Sequence, residues 1–140
     1  MRTLFYALAG FVMFLAIDLR AAPGLQVAGK RPTPVSLVAL LADPARFDGQ
    51  QVMLVGYVRS GFESNALYLT KDDADILNRM NSVWLEGYRD GNDTAGKKRP
   101  VRGFIRVVGT VRYRSAGVGH LGLWPVGISD ITLVVKTVKE

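Results

Sequence analysis

One stretch of the chain has the spacing of a phosphate-binding loop. The segment GNDTAGKK, Gly91–Lys98, matches the first seven positions of G-x-x-x-x-G-K-[ST] and carries Lys98 where the motif requires Ser or Thr. A working loop of this type follows a strand and opens a helix, whose N-terminus binds the phosphates. Here Pro100 and a strand-like run follow, and the chain has no strand–helix–strand pattern. The segment is therefore predicted to be a basic surface loop that does not bind a nucleotide.

Side chains suited to catalysis or metal binding are few and scattered. His120 is the single histidine and the chain has no cysteine, so the sequence offers no thiolate site and no histidine cluster. Ser115 lies five residues before His120, but nothing pairs the two as nucleophile and base. The acidic run Asp72–Asp75 lacks the spacing of a calcium loop and fits a helix start. We expect a protein that is not an enzyme and that uses no cofactor.

Aromatic and arginine side chains form the clearest binding pattern. By strand parity, Tyr68 and Trp84 share a face opposite the leucines and valines of their strands. Arg106 and Arg112 join that face if a bulge at Gly109 does not change the phase. Such a surface suits single-stranded nucleic acid, through base stacking and phosphate contacts, and it equally suits a sugar polymer or a peptide. The alternative is that Trp84 packs beneath the helix that precedes the strands.

Hydrophobic periodicity predicts the elements that carry these residues. Ser36 is the expected N-cap of a short amphipathic helix, which Asp43–Pro44 ends. A second helical segment is predicted in KDDADILNRMN, with Asp72 or Asp73 as its cap. Alternating apolar residues predict five strands, at 50–60, 66–70, 82–88, 101–114 and 128–136. The predicted class is therefore all-β with short helices.

Two of these strands carry a glycine inside a hydrophobic run, Gly56 in VMLVGYV and Gly109 in IRVVGTV. Glycine in such a place marks a bulge or a tight bend, which a small closed barrel needs at its corners. Together with Ile128 and Ile131, this pattern over Val35–Lys136 resembles a five-stranded OB-fold barrel preceded by a short amphipathic helix. It is similar to OB-fold families that bacteria export to the periplasm. One departure is that the internal helix follows the second strand rather than the third.

The resemblance implies a binding groove framed by two loops. GFESN, with Phe62, occupies the loop between strands one and two, and SAGVGHLGLWP, with His120 and Trp124, the loop between strands four and five. Glycines around His120 allow the backbone to approach a ligand closely, whereas the alternative is that Leu121, Leu123 and Trp124 form a strand-like stretch that plugs the end of the barrel. The candidate ligand-binding residues are Phe62, Tyr68, Trp84, Arg106, Arg112, His120 and Trp124.

The N-terminal sequence predicts export. Arg2 precedes an apolar or weakly polar run from Thr3 to Ile17, and Ala21 and Ala22 follow, as in a secretory signal peptide. The expected organisation is a signal peptide or membrane anchor at 1–22, a linker at 23–34 and one OB-fold domain at 35–140. If the segment is not cleaved, residues 3–19 are the stretch expected to anchor the protein in the inner membrane.

The net charge of +6 is the remaining clue to partners. A positive exported domain suits an envelope protein or an anionic envelope polymer, and export argues against nucleic acid. The expected function is a non-catalytic binding module that is periplasmic or secreted. The alternative is a single-stranded nucleic-acid-binding OB-fold protein, and the oligomeric state stays open.

Overall fold

The first helix forms where its capping residues predict it. In the computed structural model, which describes residues 31–88, 96 and 98–137, α1 spans Leu37–Ala42. The Ser36 hydroxyl accepts a hydrogen bond from the Ala39 N–H at 3.1 Å, which satisfies one of the free amides of the first turn. Asp43 ends the helix before Pro44. The prediction of a short amphipathic helix with Ser36 as its cap is therefore confirmed.

Strands form the rest of the framework, and five of them close into a barrel. Their order is β1-β2-β3-β4-β6-β5, and a further pairing of β2 with β5 closes the ring. Neighbouring barrel strands are antiparallel except β4 and β6, which are parallel. This is the strand order of an OB-fold, so the predicted all-β, OB-fold-like barrel is confirmed. The strands are β1 Thr33–Pro34, β2 Gln51–Ser60, β3 Asn65–Tyr68, β4 Ser82–Leu85, β5 Arg102–Val118 and β6 Trp124–Lys136.

The last two strands are longer than the sequence predicts. We expected a glycine-rich loop from Ser115 to Gly127, but β5 continues to Val118 and β6 begins at Trp124, where the two residues pair. The 3-10 turn His120–Gly122 connects them. We call residues 112–126 the arm, because they extend beyond the last registered pair of β2 and β5, Gln51 with Thr110. The segment that was predicted to be a loop or a plug of the barrel end therefore forms the end of a β-hairpin.

The two strand glycines have different roles. Opposite Gly109 the register of β5 and β6 shifts, because the β6 partners run from Leu133 at Val108 to Ser129 at Thr110, so the bulge lies in β6 rather than at Gly109 itself. The bulge leaves both Arg106 and Arg112 exposed, so the phase of β5 is preserved. At Gly56 the pairing of β2 and β5 continues without a shift. There a Cβ atom would lie 2.7 Å from the Tyr68 carbonyl oxygen, so Gly56 is required for close approach rather than for a bulge.

Aliphatic side chains fill the barrel, and α1 covers the end where β2 begins. Leu37 and Leu40 of α1 are buried among the inward-facing residues of all five barrel strands. Tyr88, just after β4, joins them and donates a hydrogen bond to the Pro100 carbonyl at 2.9 Å. We call this set the inner cluster: Leu37, Leu40, Val52, Leu54, Val58, Leu67, Val83, Leu85, Tyr88, Ile105, Val107, Val111, Val126, Ile128 and Val134.

The second helix is shorter than predicted, and a different residue caps it. Helix α2 spans Lys71–Asp75, and Thr70 is the N-cap, because its hydroxyl accepts a hydrogen bond from the Asp73 N–H at 3.0 Å. The expectation that Asp72 or Asp73 caps the helix was wrong, since both lie inside its first turn. Leu77 adopts a left-handed φ of 55°, which ends the helical conformation well before the predicted limit.

The Asp73 carboxylate holds the chain together after α2. It accepts hydrogen bonds from the Thr70 hydroxyl at 2.7 Å and from the side-chain amides of Asn78 and Asn81 at 2.9 and 3.0 Å. These donors, the Thr70 hydroxyl first, lower the pKa of Asp73. The carboxylate therefore remains ionised at neutral pH and fixes the return of the chain to β4.

Several predicted features lie outside the described residues. These are the signal or anchor at 1–22, most of the linker at 23–34 and most of the loop at 91–98. Across residues 31–88, 96 and 98–137, no helix combines the length and the apolar character needed to cross a bilayer.

Candidate functional site

A second group of buried side chains lies outside the barrel wall and determines which predicted site residues a ligand can reach. We call it the outer cluster: Tyr57, Ala66, Tyr68, Ala74 and Trp124, with Trp84 and Val118 at its edge. Tyr68 and Trp84 point away from the inner cluster, as strand parity predicts. Tyr68 is fully buried, however, and its hydroxyl lies 3.1 Å from the Ser64 hydroxyl. In this structure Tyr68 therefore has no exposed surface that a ligand could contact.

Helix α2 and the arm cover this face. Ala74 of α2 and Trp124 of the arm are buried against it. The Trp124 indole N–H donates a hydrogen bond to the Ser82 hydroxyl at 3.0 Å, and the guanidinium of Arg79 lies 5.5 Å from the ring centroid. Trp124 is only 1% exposed, so it too has almost no surface that a ligand could contact in this structure. Its position makes it a structural residue that holds the arm against the barrel.

Trp84 packs against the arm rather than beneath α1. Its ring centroid lies 4.7 Å from that of Trp124, at an interplanar angle of 50°. Gly119 of the arm lies so close to the same indole that a Cβ there would be 2.6 Å from Trp84 Cδ2. The alternative that Trp84 lies under the N-terminal helix was therefore wrong. Trp84 remains partly exposed, and this exposed part faces a groove.

The groove lies between the end of β4 and the arm and has a volume of about 880 Å³. Trp84 forms part of its wall, and five glycines bring backbone groups to its surface. A volume of this size is within the range of small-molecule and short peptide sites. The lining residues are Trp84, Glu86, Gly87, Arg112, Arg114, Gly117, Val118, Gly119, Gly122, Gly127, Ser129 and Asp130.

A polar network occupies one side of the groove. Arg112 Nε donates to the Ser129 hydroxyl at 2.9 Å, and Arg112 Nη2 lies 3.1 Å from Asp130 Oδ2. The Ser129 hydroxyl in turn donates to Asp130 at 2.9 Å. The hydrogen bond from Ser129, followed by the field of Arg112, lowers the pKa of Asp130, which is therefore ionised at neutral pH. The network presents fixed donors and acceptors to the groove.

The charges of the groove balance. Arg112 and Arg114 contribute two positive charges, and Glu86 and Asp130 contribute two negative ones. The groove is thus neutral although the whole chain carries +6. Since one arginine is already paired with a carboxylate, the positive potential that would attract a polyanion is weak at this surface.

The arm depends on glycine conformations that other residues avoid. Gly119 has φ 74° and ψ −159°, a region populated almost only by glycine. Gly117 has φ 84°, and a Cβ there would lie 2.0 Å from the Gly122 carbonyl oxygen. The register of β5 and β6 is irregular between Tyr113 and Val118, where these turns occur. The arm can therefore fold onto Trp84 only with glycine at these positions.

The structure does not bring the seven predicted ligand-binding residues together in one site. Trp84 and Arg112 line the groove, while His120 is exposed at the arm tip, between the groove glycines Gly119 and Gly122. Arg106 lies outside the groove, on the barrel surface between Val55 and Val135. Phe62 follows the end of β2, whereas the arm begins beyond its start, so Phe62 and the arm lie at opposite ends of the barrel.

Sequence reasoning missed four of the polar or charged residues that line the groove. Arg114 has the same parity as Arg112, so the alternation in β5 offered a signal that it shares the groove. Glu86, Ser129 and Asp130 join them through the parallel pairing of β4 with β6 and through the left-handed φ of 49° at Asp130. No local sequence pattern predicts either feature.

Neither a metal site nor a comparison with known proteins indicates what the groove binds. In the part of the chain that the structure describes, no three histidine or carboxylate side chains lie close enough together to hold a metal ion. Comparisons of the chain with protein-family models, with curated proteins and with solved structures find no match. The function must therefore be argued from the groove itself.

Proposed function

We propose that this protein is a non-catalytic, OB-fold-like binding module of the bacterial envelope, and that its groove binds an extended segment of another envelope protein. The observation that carries the proposal is the groove between β4 and the arm, of about 880 Å³, with Trp84 in its wall and glycine backbone at its surface. An extended peptide offers the alternating donors and acceptors that such a wall can meet.

The charge and the aromatic packing favour a protein ligand over a nucleic acid. Single-stranded nucleic-acid binders stack bases on exposed aromatic rings along a positive groove. Here Tyr68 and Trp124 are buried in the outer cluster, and the four charged groove residues cancel. The same balance favours a peptide over an anionic envelope polymer, because a polyanion needs an excess of cations.

The envelope location rests on the N-terminal sequence. The apolar run from Thr3 to Ile17 after Arg2 has the composition of an export signal or an anchor. Cell fractionation followed by N-terminal sequencing tests it. Recovery of the chain in the periplasmic or membrane fraction supports export, and recovery of the chain with Met1 intact in the cytosol contradicts it.

Two arginines of the same strand provide a matched test of the groove. Arg114 lines the groove and Arg106 does not, although both are exposed residues of β5. We expect Arg114→Glu to lose a partner from envelope extracts that the native chain and Arg106→Glu retain, as measured by quantitative mass spectrometry. A partner set that is identical for all three chains contradicts the groove.

Tryptophan fluorescence then locates the bound peptide. Trp84 lines the groove, and Trp124, the other tryptophan of the chain, packs against the Trp84 ring, so every indole that contributes to the signal is at the groove or next to it. Overlapping peptides of the captured partner are titrated into the purified chain, and one of them is expected to change the emission saturably. Single-stranded DNA serves as the comparison and should give no change even at low salt. A DNA signal that weakens as salt rises favours the nucleic-acid alternative instead.

A further inference from the structure

One end of the barrel carries exposed apolar side chains on three elements that pack against one another. We call it the α1 end, because α1 covers the barrel there. Helix α1 packs against the 3-10 turn Arg79–Asn81, and that turn packs against β6. Val38 of α1 is 59% exposed, Met80 of the turn is 71% exposed, and Leu123, just before β6, is 43% exposed. These side chains are contributed by neighbouring elements and are therefore not scattered single residues.

The chain reaches the domain from this same end. Thr33 pairs with Val52 and Pro34 with Met53, near the start of β2, and β1 runs parallel to β2. Arg31 and Pro32 therefore precede β1 on the side of α1. The apolar run that the sequence predicts as an anchor ends at Ile17, and the 15 residues from 18 to 32 reach at most roughly 50 Å. An anchored chain thus keeps the α1 end close to the bilayer.

Charge at this end is compatible with a lipid surface. Exposed residues beside the apolar side chains include three arginines and two aspartates, a small positive excess: Arg31, Arg46, Arg79, Asp43 and Asp48. Exposed apolar side chains with flanking arginines are the composition of surfaces that lie in the interfacial region of a membrane. The opposite end carries exposed Phe62 in the β2–β3 loop and exposed Val101, whose carbonyl accepts from the Ser60 N–H, so the entry of the chain rather than exposed apolar area alone distinguishes the α1 end.

We infer that the α1 end rests on the surface of the bilayer in which residues 3–19 are anchored, with Val38, Met80 and Leu123 in the interfacial region. This inference depends on the anchored form of the proposed envelope protein and is independent of the groove ligand. It orients the domain, because the arm lies beyond the start of β2, near the membrane, and Phe62 points toward the aqueous compartment.

Single-cysteine labelling tests this orientation, because the chain has no cysteine of its own. Val38→Cys, Met80→Cys and Phe62→Cys variants of the full chain are labelled with a nitrobenzoxadiazole fluorophore. Each is reconstituted into vesicles of phosphatidylethanolamine and phosphatidylglycerol, with and without spin-labelled lipid. All three positions are exposed, so the substitutions should leave the fold intact. Far-UV circular dichroism of each labelled chain checks this.

We expect the labels at Val38 and Met80 to be quenched severalfold more strongly by the spin-labelled lipid than the label at Phe62. Equal quenching at the three positions overturns the inference, and so does failure of the chain to associate with the vesicles. Neither result affects the groove, whose test is the loss of a captured partner by Arg114→Glu. The two proposals can therefore fail separately.

Discussion

The inner and outer clusters lie on either side of the same barrel wall, and they differ in composition and in what covers them. The inner cluster is aliphatic apart from Tyr88 and is enclosed by five strands and α1. The outer cluster is mainly aromatic and is covered by α2 and the arm, and the polar atoms of Tyr68 and Trp124 within it are hydrogen-bonded. Closure of the sheet protects the first, whereas the second depends on the packing of α2 and the arm against the wall.

The groove borders the outer cluster and not the inner one. Trp84 belongs to the edge of that cluster and also lines the groove, so the packing of the arm determines the shape of the groove. No inner-cluster residue lines it. Changes in the inner cluster should therefore reduce the stability of the whole fold, and changes in the outer cluster should act first on the arm and the groove.

The largest expected effect is from truncation inside the barrel. Leu54 is fully buried in the inner cluster, so Leu54→Ala removes several buried methyl and methylene groups and leaves a cavity. We expect it to lower the free energy of unfolding by about 2–5 kcal/mol. Urea denaturation followed by far-UV circular dichroism measures this. If Leu54→Ala lowered the free energy of unfolding by less than Trp124→Phe does, the inner cluster would not be the larger contributor to the stability of the fold.

A more moderate loss is expected at the centre of the outer cluster. Trp124→Phe keeps an aromatic ring but removes the indole N–H that donates to Ser82, and it reduces the buried area. We expect a loss of about 1–3 kcal/mol, of which the hydrogen bond accounts for about 1 kcal/mol. Urea denaturation of Trp124→Phe, Ser82→Ala and the double variant measures the coupling. Strictly additive effects would show that the hydrogen bond contributes nothing to stability.

The arm can be perturbed with little effect on the barrel. Gly119→Ala places a side chain in a backbone region that costs about 1–3 kcal/mol and directs its Cβ against Trp84. Because lifting the arm relieves this strain, we expect Trp84 to become more accessible to acrylamide quenching, and we expect the free energy of unfolding to fall by no more than the strain energy. Gly61→Ala is the control, since a Cβ there meets nothing within 4 Å. Similar quenching in both variants would mean that the arm tolerates the side chain.

The smallest expected effect is the pH dependence of the segment after α2. The pKa of Asp73 is lowered in the folded chain, so its contribution is present above the unfolded value, about 3.9, and is lost as the pH falls through the folded value. Urea denaturation of the native chain and Asp73→Asn, from about pH 7 to about pH 2, should show a difference that narrows on acidification. The difference should be small, because water screens this carboxylate. If the difference in the free energy of unfolding between the two chains stayed constant over this pH range, the ionisation of Asp73 would not contribute to the stability of the fold.

The sequence was sufficient to predict elements whose signals are local. Ser36 predicts the start of α1, and the alternation of apolar residues predicts the five barrel strands and the outward direction of Trp84, Arg106 and Arg112. Gly109 marks the place where the register of β5 and β6 shifts, and a Cβ there would lie 2.5 Å from Ile128 Cγ2. Each of these depends on neighbours within a few residues or on strand parity.

Other features of the fold depend on the packing of elements that are distant in the sequence. Parity placed Tyr68 and Trp84 on one face, but it does not predict that α2 and Trp124 bury that face. The glycine-rich segment was predicted to be a loop because glycine usually disfavours strands, and the pairing of Val118 with Trp124 overrides that preference. Thr70 rather than an aspartate caps α2, because the Asp73 carboxylate is held by Asn78 and Asn81.

The sequence by itself determined the barrel, its leading helix and the outward-facing arginines, because helix caps and strand alternation act between near neighbours. The tertiary structure alone decided which aromatic side chains are covered and where the groove lies. Trp84, Arg112 and Asp130 meet only through the pairing of β4 with β6 and the return of the arm onto the wall. Those contacts join residues that are distant in the chain, and no local pattern specifies them.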